Sequence, residues 1–374
     1  MKILLVGNYL PDNQQSMGRF AELLRDKLLE KNIKVALITP CNVFLRLPFL
    51  TGSLKKWLAY IDKYILFPAL LRWKAKSHDV VHICDHSNSP YARFTGNKPT
   101  LITCHDMLAI RGAMNDFDYC PATATGKLLQ KWILSSFAYA ELLVCDSQFT
   151  MNDVLKLTDR DKSTVTVNHL GLSFNYRIIN KETATELLAS IPEFRQDIPY
   201  LINVGSSITR KNREAVIRIF AGYQQRINSI LVFAGAPLTT EQKILVEQLG
   251  IKDKVIEVLR PSNDQLMALY NRAQALLFPS IGEGFGWPAI EAQACGCPVV
   301  SSSSGSLAEV TGDGGIVLEY TDEQGMLDAL IKISADDRFR NELIQRGLEN
   351  ISRFNIDRMI DRYISLYQQL ASTL

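Results

Sequence analysis

The chain of 374 residues has little that would make it a membrane, secreted or metal-binding protein. No uninterrupted apolar run approaches the roughly 18 residues a spanning helix needs. The seven cysteines, an odd number scattered over the whole length, do not make the disulfide framework of a small secreted domain and fit a reducing compartment. Cys295 and Cys297 read C-G-C, but no second thiol or histidine pair stands at zinc-finger spacing, so they read as small buried residues. Neither half has a full G-x-G-x-x-G with an acid about 20 residues on, which argues against a dinucleotide oxidoreductase. No D-x-D stands where it would hold a diphosphate-bound metal, so no metal and no cofactor are expected. The opening MKILLVGNYL is too short in its apolar part for an export signal and is expected to be a buried strand.

Excess charge is scarce too. The net charge is +2, made of 21 Lys and Arg against 15 Asp and Glu over residues 1–175, and 20 against 24 over the remainder. That basic first half suits a surface meeting something anionic, but it is too mild for a nucleic-acid partner.

With 47% hydrophobic and 21% charged residues, the composition is that of a globular enzyme, and the length predicts two domains. Short β-branched runs recur with helical patterns between them: KILLVG, KVALIT, DVVHI, TLITC, ELLVCD and TVTVN. The alternation restarts at YLINVG (200–205) and continues through SILVFAG, KVIEVL, QALLFP, CPVVSS and GGIVLE. Such runs predict buried parallel strands in two doubly wound α/β domains. Residues 171–199 hold no convincing strand and read as the linker. Ser262 and Gln265 form a capping-box pattern ahead of a helix over 263–272. The last segment is amphipathic at helical spacing and is expected to pack on one of the domains.

The chemistry concentrates in GEGFGWPAIEAQACGCPVVSSSSGSLAEV, residues 282–310. A strand ending at Pro279 leads into a glycine loop, and Pro288 has the fixed φ suited to the first position of a helix. The amides of Gly284, Phe285 and Gly286 then lie near a positive helix end, which suits a diphosphate. Glu291 is expected in the first turn, where a carboxylate takes ribose hydroxyls, with Glu283 on the loop before it. In the first half, Gly7 and the run Ser16-Met17-Gly18-Arg19 precede a predicted helix, so the Gly18 amide is placed to approach an anion.

This stretch resembles the nucleotide-sugar signature of the family 4 glycosyltransferases, retaining enzymes of the GT-B fold, and the likeness covers nearly the whole chain. VGSSITRKN at 204–212 is similar to the family's phosphate-binding segment, TCHD at 103–106 to its acceptor-side histidine motif, and VCDSQFTMNDV at 144–154 to a strand-to-helix motif. The resemblance implies two Rossmann-like domains facing a central cleft, an acceptor-side domain over 1–185 and a donor domain over 186–374. It leaves the final helix, about 355–374, open to packing back on the first. It makes Lys211 a cation on the diphosphate, Glu291 the ribose ligand, Glu283 a partner of the donor sugar, His105 a contact near the reacting carbon, and Gly18 a phosphate amide. His105, Glu283 and Lys211 are the implied catalytic set. Ser206 stands where many members carry arginine, which leaves the phosphate contact open between Arg210 and Lys211.

The implied partners are a nucleotide-sugar donor and a saccharide or lipid-linked acceptor, in a cytoplasmic enzyme. Residues 42–76 hold seven Lys and Arg, one acid and several aromatics, a mixture that fits peripheral contact with an anionic membrane face or an inserted helical hairpin. An epimerase or phosphorylase of the same fold, and a non-catalytic sugar-nucleotide scaffold, are the other readings.

Overall fold

Runs such as Lys2-Ile-Leu-Leu-Val and Ala275-Leu-Leu-Phe carry apolar side chains on both sides of the backbone, which only a strand covered on both faces can bury. A computed structural model describes the chain except for residues 13–14, 44–57, 119, 192–193, 195–196 and 373–374. The chain divides into two compact units, Met1–Ser173 together with Ile356–Leu374, and Phe174–Asn355. The division at Ser173 lies a little before the expected 185/186.

Among the described residues the first unit contains six parallel strands: β1 (Lys2–Val6), β2 (Lys34–Ile38), β3 (Val80–Ile83), β4 (Thr100–Cys104), β5 (Leu142–Cys145) and β6 (Val165–Val167). Their order is β2-β1-β3-β4-β5-β6. The second unit repeats the theme with β7 (Tyr200–Gly205), β8 (Ile230–Gly235), β9 (Val255–Leu259), β10 (Ala275–Phe278), β11 (Val299–Ser302) and β12 (Gly315–Leu318), ordered β12-β11-β10-β7-β8-β9. These twelve strands are the runs read from the sequence.

Each core lies between sheet and helices. Leu4, Val81, Ile102 and Leu143 anchor the first, and Leu201, Phe220, Phe233 and Leu277 the second, all fully buried. Each such side chain contributes about 1.5–3 kcal/mol. The helix Asn263–Arg272 begins at the expected capping box, with Ser262 and Gln265 bonded reciprocally.

Strand order fixes where ligands can enter. Growth of the sheet reverses between β1 and β3 in the first unit, and between β7 and β10 in the second. Loops leaving the carboxyl ends of those neighbours go to opposite faces and open a crevice there.

The final helix, Ile356–Ser372, completes the first unit. Its apolar stripe buries Met359, Ile360, Tyr363, Leu366 and Tyr367. Gly171 lies so close beneath it that a Cβ there would come 2.5 Å from the Cα of Ile356.

Candidate active site

In the second unit the crevice between β7 and β10 is closed by charge. Gly205 ends β7 with φ +135, and a single turn of helix, Thr209–Lys211, brings Arg210 and Lys211 toward the loop that follows β10. That loop supplies Glu283. Lys211 Nζ lies 2.7 Å from Glu283 Oε1, and Arg210 Nη1 lies 2.8 Å from Oε2 while also donating to the Gly282 carbonyl. Glu283 is only 5% exposed. Burial works to raise its pKa, yet the two cations hold it below the ordinary carboxylate range. Burial also pulls Lys211 below the usual lysine range, against the attraction of Glu283. The three groups form one buried ion cluster with a single net positive charge.

The turn carrying these cations is braced from behind by Arg213, which sequence reasoning did not single out. Its guanidinium is 1% exposed, donates to the carbonyls of Gly205 and Ala236 and to Ser207 Oγ, and stacks over Phe233. An arginine at the start of an amphipathic helix reads as surface, so no sequence signal marked it. Ser206 is half-buried in the turn itself.

After Glu283, the loop is held by its own backbone. Gly305, at φ +68, passes so close that a Cβ would come 2.3 Å from the Glu283 carbonyl oxygen. Ser306 donates to the carbonyls of Glu283 and Phe285. Phe285 turns inward onto Phe354, so only its backbone is available to a ligand. Gly286 takes the N-cap in a left-handed conformation, φ +100, and the helix Trp287–Ala294 starts directly after it.

That start corrects two expectations. Pro288 is the second helical residue rather than the first, and no acid stands in the first turn. Glu291 is a full turn further in, largely buried, where its carboxylate accepts a hydrogen bond from Tyr270 at 3.1 Å. The left-handed N-cap is the cause, since it begins the helix one residue earlier than the proline alone implied. Pro288 has no amide proton and the Ala289 amide donates to the Gly286 carbonyl, so it is the positive end of the helix dipole, at Gly286 and Trp287, that favours an anion.

The first unit concentrates its polar side chains at the same edge of its sheet. His105, just past β4, has Nδ1 2.6 Å from Asp146 Oδ2 and Nε2 2.8 Å from the Cys84 carbonyl. Both ring nitrogens therefore face acceptors, and only the doubly protonated ring can donate to both. Burial opposes that charge, but Asp146 and then Asp85 outweigh it and carry the pKa up to about 9. Burial also raises the Asp146 carboxyl, but the paired acceptors place the proton on the ring. Asp85 is itself fixed by Ser87 and Asn8. On the neighbouring strand, His82 faces hydroxyls instead, Tyr367 at Nδ1 and Thr103 at Nε2, both at 2.7 Å, and burial drives its pKa down to about 3.

Gly18 does not precede its helix as expected. The helix Gln15–Glu30 already includes it as the fourth residue, and a Cβ at this position would meet nothing within 4 Å.

The structure thus joins Arg210, Lys211 and Glu283 in one cluster, with Ser206 and Gly284–Gly286 in the flanking loops. Glu291 lies beyond the loop, paired with Tyr270, and His105 is engaged within its own unit.

Of residues 42–76, those at 44–57 lie outside the described residues. The rest includes the helix Phe67–Ala75 and leaves Ile65, Leu66 and Trp73 exposed beside Arg72 and Lys76. No helix among the described residues is long and apolar enough to cross a membrane.

Residues 186–350 match the model of a family described as glycosyl transferases group 1. The chain is similar to O-antigen chain mannosyltransferase B of Escherichia coli, 27% identical over 250 residues that cover 65% of each protein. The match therefore spans just under two thirds of that relative's length. Its structure is similar to sucrose-phosphate synthase from Thermosynechococcus elongatus, with a TM-score of 0.77, 18% identity and 100% of both chains covered. It is also similar to Anabaena HepE in complex with UDP and glucose, with a TM-score of 0.75, 15% identity, and 98% and 99% covered. Identities this low establish the fold, a two-domain α/β architecture of the GT-B type.

Proposed function

We propose that this chain, a glycosyltransferase of the family 4 type, moves a sugar from a nucleoside diphosphate to an acceptor hydroxyl with retention of configuration, in the assembly of a polysaccharide, lipopolysaccharide or glycolipid. The observation that carries the reading is the buried cluster of Glu283 with Arg210 and Lys211, where the sheet of the second unit reverses. Two cations beside glycine-loop amides match a diphosphate, and a carboxylate beside them matches sugar hydroxyls. Similarity to a structure holding UDP and glucose, and to an O-antigen mannosyltransferase, supports this donor class.

In the reaction, the bond from the anomeric carbon to the diphosphate breaks and the acceptor hydroxyl oxygen bonds that carbon, its proton passing to the leaving diphosphate, through an oxocarbenium-like transition state. Negative charge grows on the leaving diphosphate. Lys211 and Arg210 neutralise it, with the amides of Gly284, Phe285 and Gly286 adding fixed dipoles. A diphosphate competes with Glu283 for the two cations. As they turn to the phosphates, the freed carboxylate accepts from the sugar. Glu291 holds the ribose, with Tyr270 fixing its rotamer. Gly18 offers an amide in the first unit, and the His105 imidazolium acts in turnover as a fixed charge, since both its protons are engaged. No step needs a metal held by the protein.

We place the enzyme in the cytoplasm, loosely held at an anionic membrane face where a lipid-linked acceptor is extended. The exposed Ile65, Leu66 and Trp73, interleaved with Arg72 and Lys76, support that contact. Co-sedimentation with anionic but not neutral vesicles, weakening with salt, is the expected result.

The main test is calorimetry with UDP, GDP and ADP on the intact protein and on Lys211→Ala. At least one nucleotide is expected to bind the intact protein and to lose about tenfold or more in affinity on losing the lysine. Equal affinity in a folded variant overturns the donor site.

A further inference from the structure

The opposite end of the first unit's sheet holds a second concave site. A cavity of about 370 Å³ opens at the amino ends of the strands, lined by Lys2, Lys34, Lys76, Lys98, His78 and Asp79 among others. Its size falls within the roughly 300–1,000 Å³ of small-molecule sites. Four lysines and the Met1 ammonium group line it together with one carboxylate, that of Asp79, which lies 3.9 Å from the Met1 nitrogen. That carboxylate is already engaged, accepting from the backbone N–H of Lys2 at 2.8 Å. None of the four lysine side chains has a carboxylate partner among the described residues. His78 is turned away from the role of acceptor for them, with Nδ1 on the Lys74 carbonyl at 2.8 Å.

The placement of the lysines is set by the sheet. Lys2 opens β1 and Lys34 opens β2, and the two are direct register partners on neighbouring parallel strands. Their side chains therefore leave the same face, with backbones about 5 Å apart. Like charges so placed repel, modestly because Lys2, Lys34 and Lys76 are exposed to solvent, and a concave lining of one sign focuses their field. Lys98 enters from the turn before β4, and Lys76 from the end of the helix Phe67–Ala75. Charges brought in from four different segments converge on one space, where among the described residues Asp79 alone stands against them and is shared with the Met1 terminus.

We propose that this cavity binds a phosphate-bearing anion carrying at least two negative charges, at a site separate from the diphosphate cluster of the second unit. A multiply charged phosphate bridges Lys2 and Lys34 and turns their repulsion into two charge-assisted hydrogen bonds, with Lys76 and Lys98 closing around it. A soluble phosphorylated metabolite and a lipid phosphate headgroup both offer this chemistry. The inference does not depend on the proposed reaction.

Lysine acylation read by mass spectrometry resolves the site residue by residue in the intact protein, with inorganic pyrophosphate as the probe. Protection of Lys2, Lys34, Lys76 and Lys98 at low ionic strength, with Lys162 and Lys181 unaffected, is the expected outcome. Protection of Lys211 in the same sample reports the donor cluster independently. In Lys34→Gln/Lys98→Gln, which removes two charges at the protein surface, the pyrophosphate concentration that half-protects Lys2 is expected to rise by about tenfold or more. Phosphatidylglycerol vesicles, against phosphatidylcholine vesicles, form the second arm. Protection by pyrophosphate assigns a soluble ligand, and protection by phosphatidylglycerol alone assigns a lipid headgroup. Protection by neither, or equal protection of Lys162 and Lys181, overturns the site, as does unchanged half-protection of Lys2 in a double variant whose circular dichroism matches the parent.

Discussion

The carboxyl edges of the two sheets solve the same electrostatic problem in opposite ways. In the second unit, a buried acid is shared by two cations whose side chains come from a different loop. In the first, a buried base is clamped by acceptors on the strands flanking its own, Asp146 past β5 and the Cys84 carbonyl past β3. Under the proposed function the former arrangement is exchangeable, an incoming diphosphate replacing Glu283 at the cations. The latter is closed, because every proton of the ring already has a partner. Identical architecture thus yields one edge fit for ligand exchange and one that holds a permanent charge.

The largest expected effect breaks the exchangeable side. Lys211→Ala is predicted to lower transfer by about 10²–10³-fold, as loss of a preorganised charge-stabilising group does elsewhere. Glu283→Gln, by contrast, leaves two cations without their counter-charge and is expected to cost the fold about 3 kcal/mol, read by urea denaturation. If Glu283→Gln leaves stability unchanged, the cluster is not the tight ion system its distances describe.

Next in size is the closed side. Unfolded histidine titrates near 6.5, while folded His105 is raised to about 9, so its contribution to stability is full below about 6.5 and is lost as pH rises through about 9. His82 works in the opposite sense. Its folded pKa of about 3 means that stability is intact above about 6.5 and falls as pH drops toward 3. Asp146→Asn is therefore predicted to abolish the alkaline decline in melting temperature between pH 6.5 and 9 and to leave the acid decline in place. An alkaline slope unchanged in the variant would show that His105 is neutral in the fold.

The smaller effects sharpen the contrast. Tyr270→Phe removes the bond to Glu291 and is predicted to weaken nucleoside diphosphate binding severalfold, with about 1 kcal/mol lost in stability. Tyr367→Phe strips one partner from His82 and is expected to cost about 1 kcal/mol without changing nucleotide affinity.

How much of this was legible in the sequence follows from the range of the forces involved. The strands were readable because an apolar run declares its burial locally, and the Ser262–Gln265 cap because its partners lie three residues apart. Glu283, Arg210 and Lys211 were readable only as parts of quoted motifs; their pairing, across 72 or 73 positions, was not. Asp146 stood inside a motif read from the sequence, yet nothing local said that its carboxylate meets His105, 41 positions away. The register of Glu291 was misjudged because a left-handed glycine, rather than the proline, starts its helix. The tyrosine that holds His82, Tyr367, was invisible for the same reason of distance, being 285 positions away.

The return of Ile356–Ser372 to the first unit bears on how the protein is made. During synthesis the second unit, contiguous from Phe174 to Asn355, can fold as soon as it clears the ribosome, whereas the first must wait with a gap over His82 and Thr103 until the last helix emerges. For that interval, the apolar floor that Met359, Ile360 and Leu366 will cover is open to water and to other nascent chains. A chain truncated after residue 355 and released from the ribosome is expected to show a protease-resistant second unit beside a digestible first one, and restoring the last helix is expected to protect both.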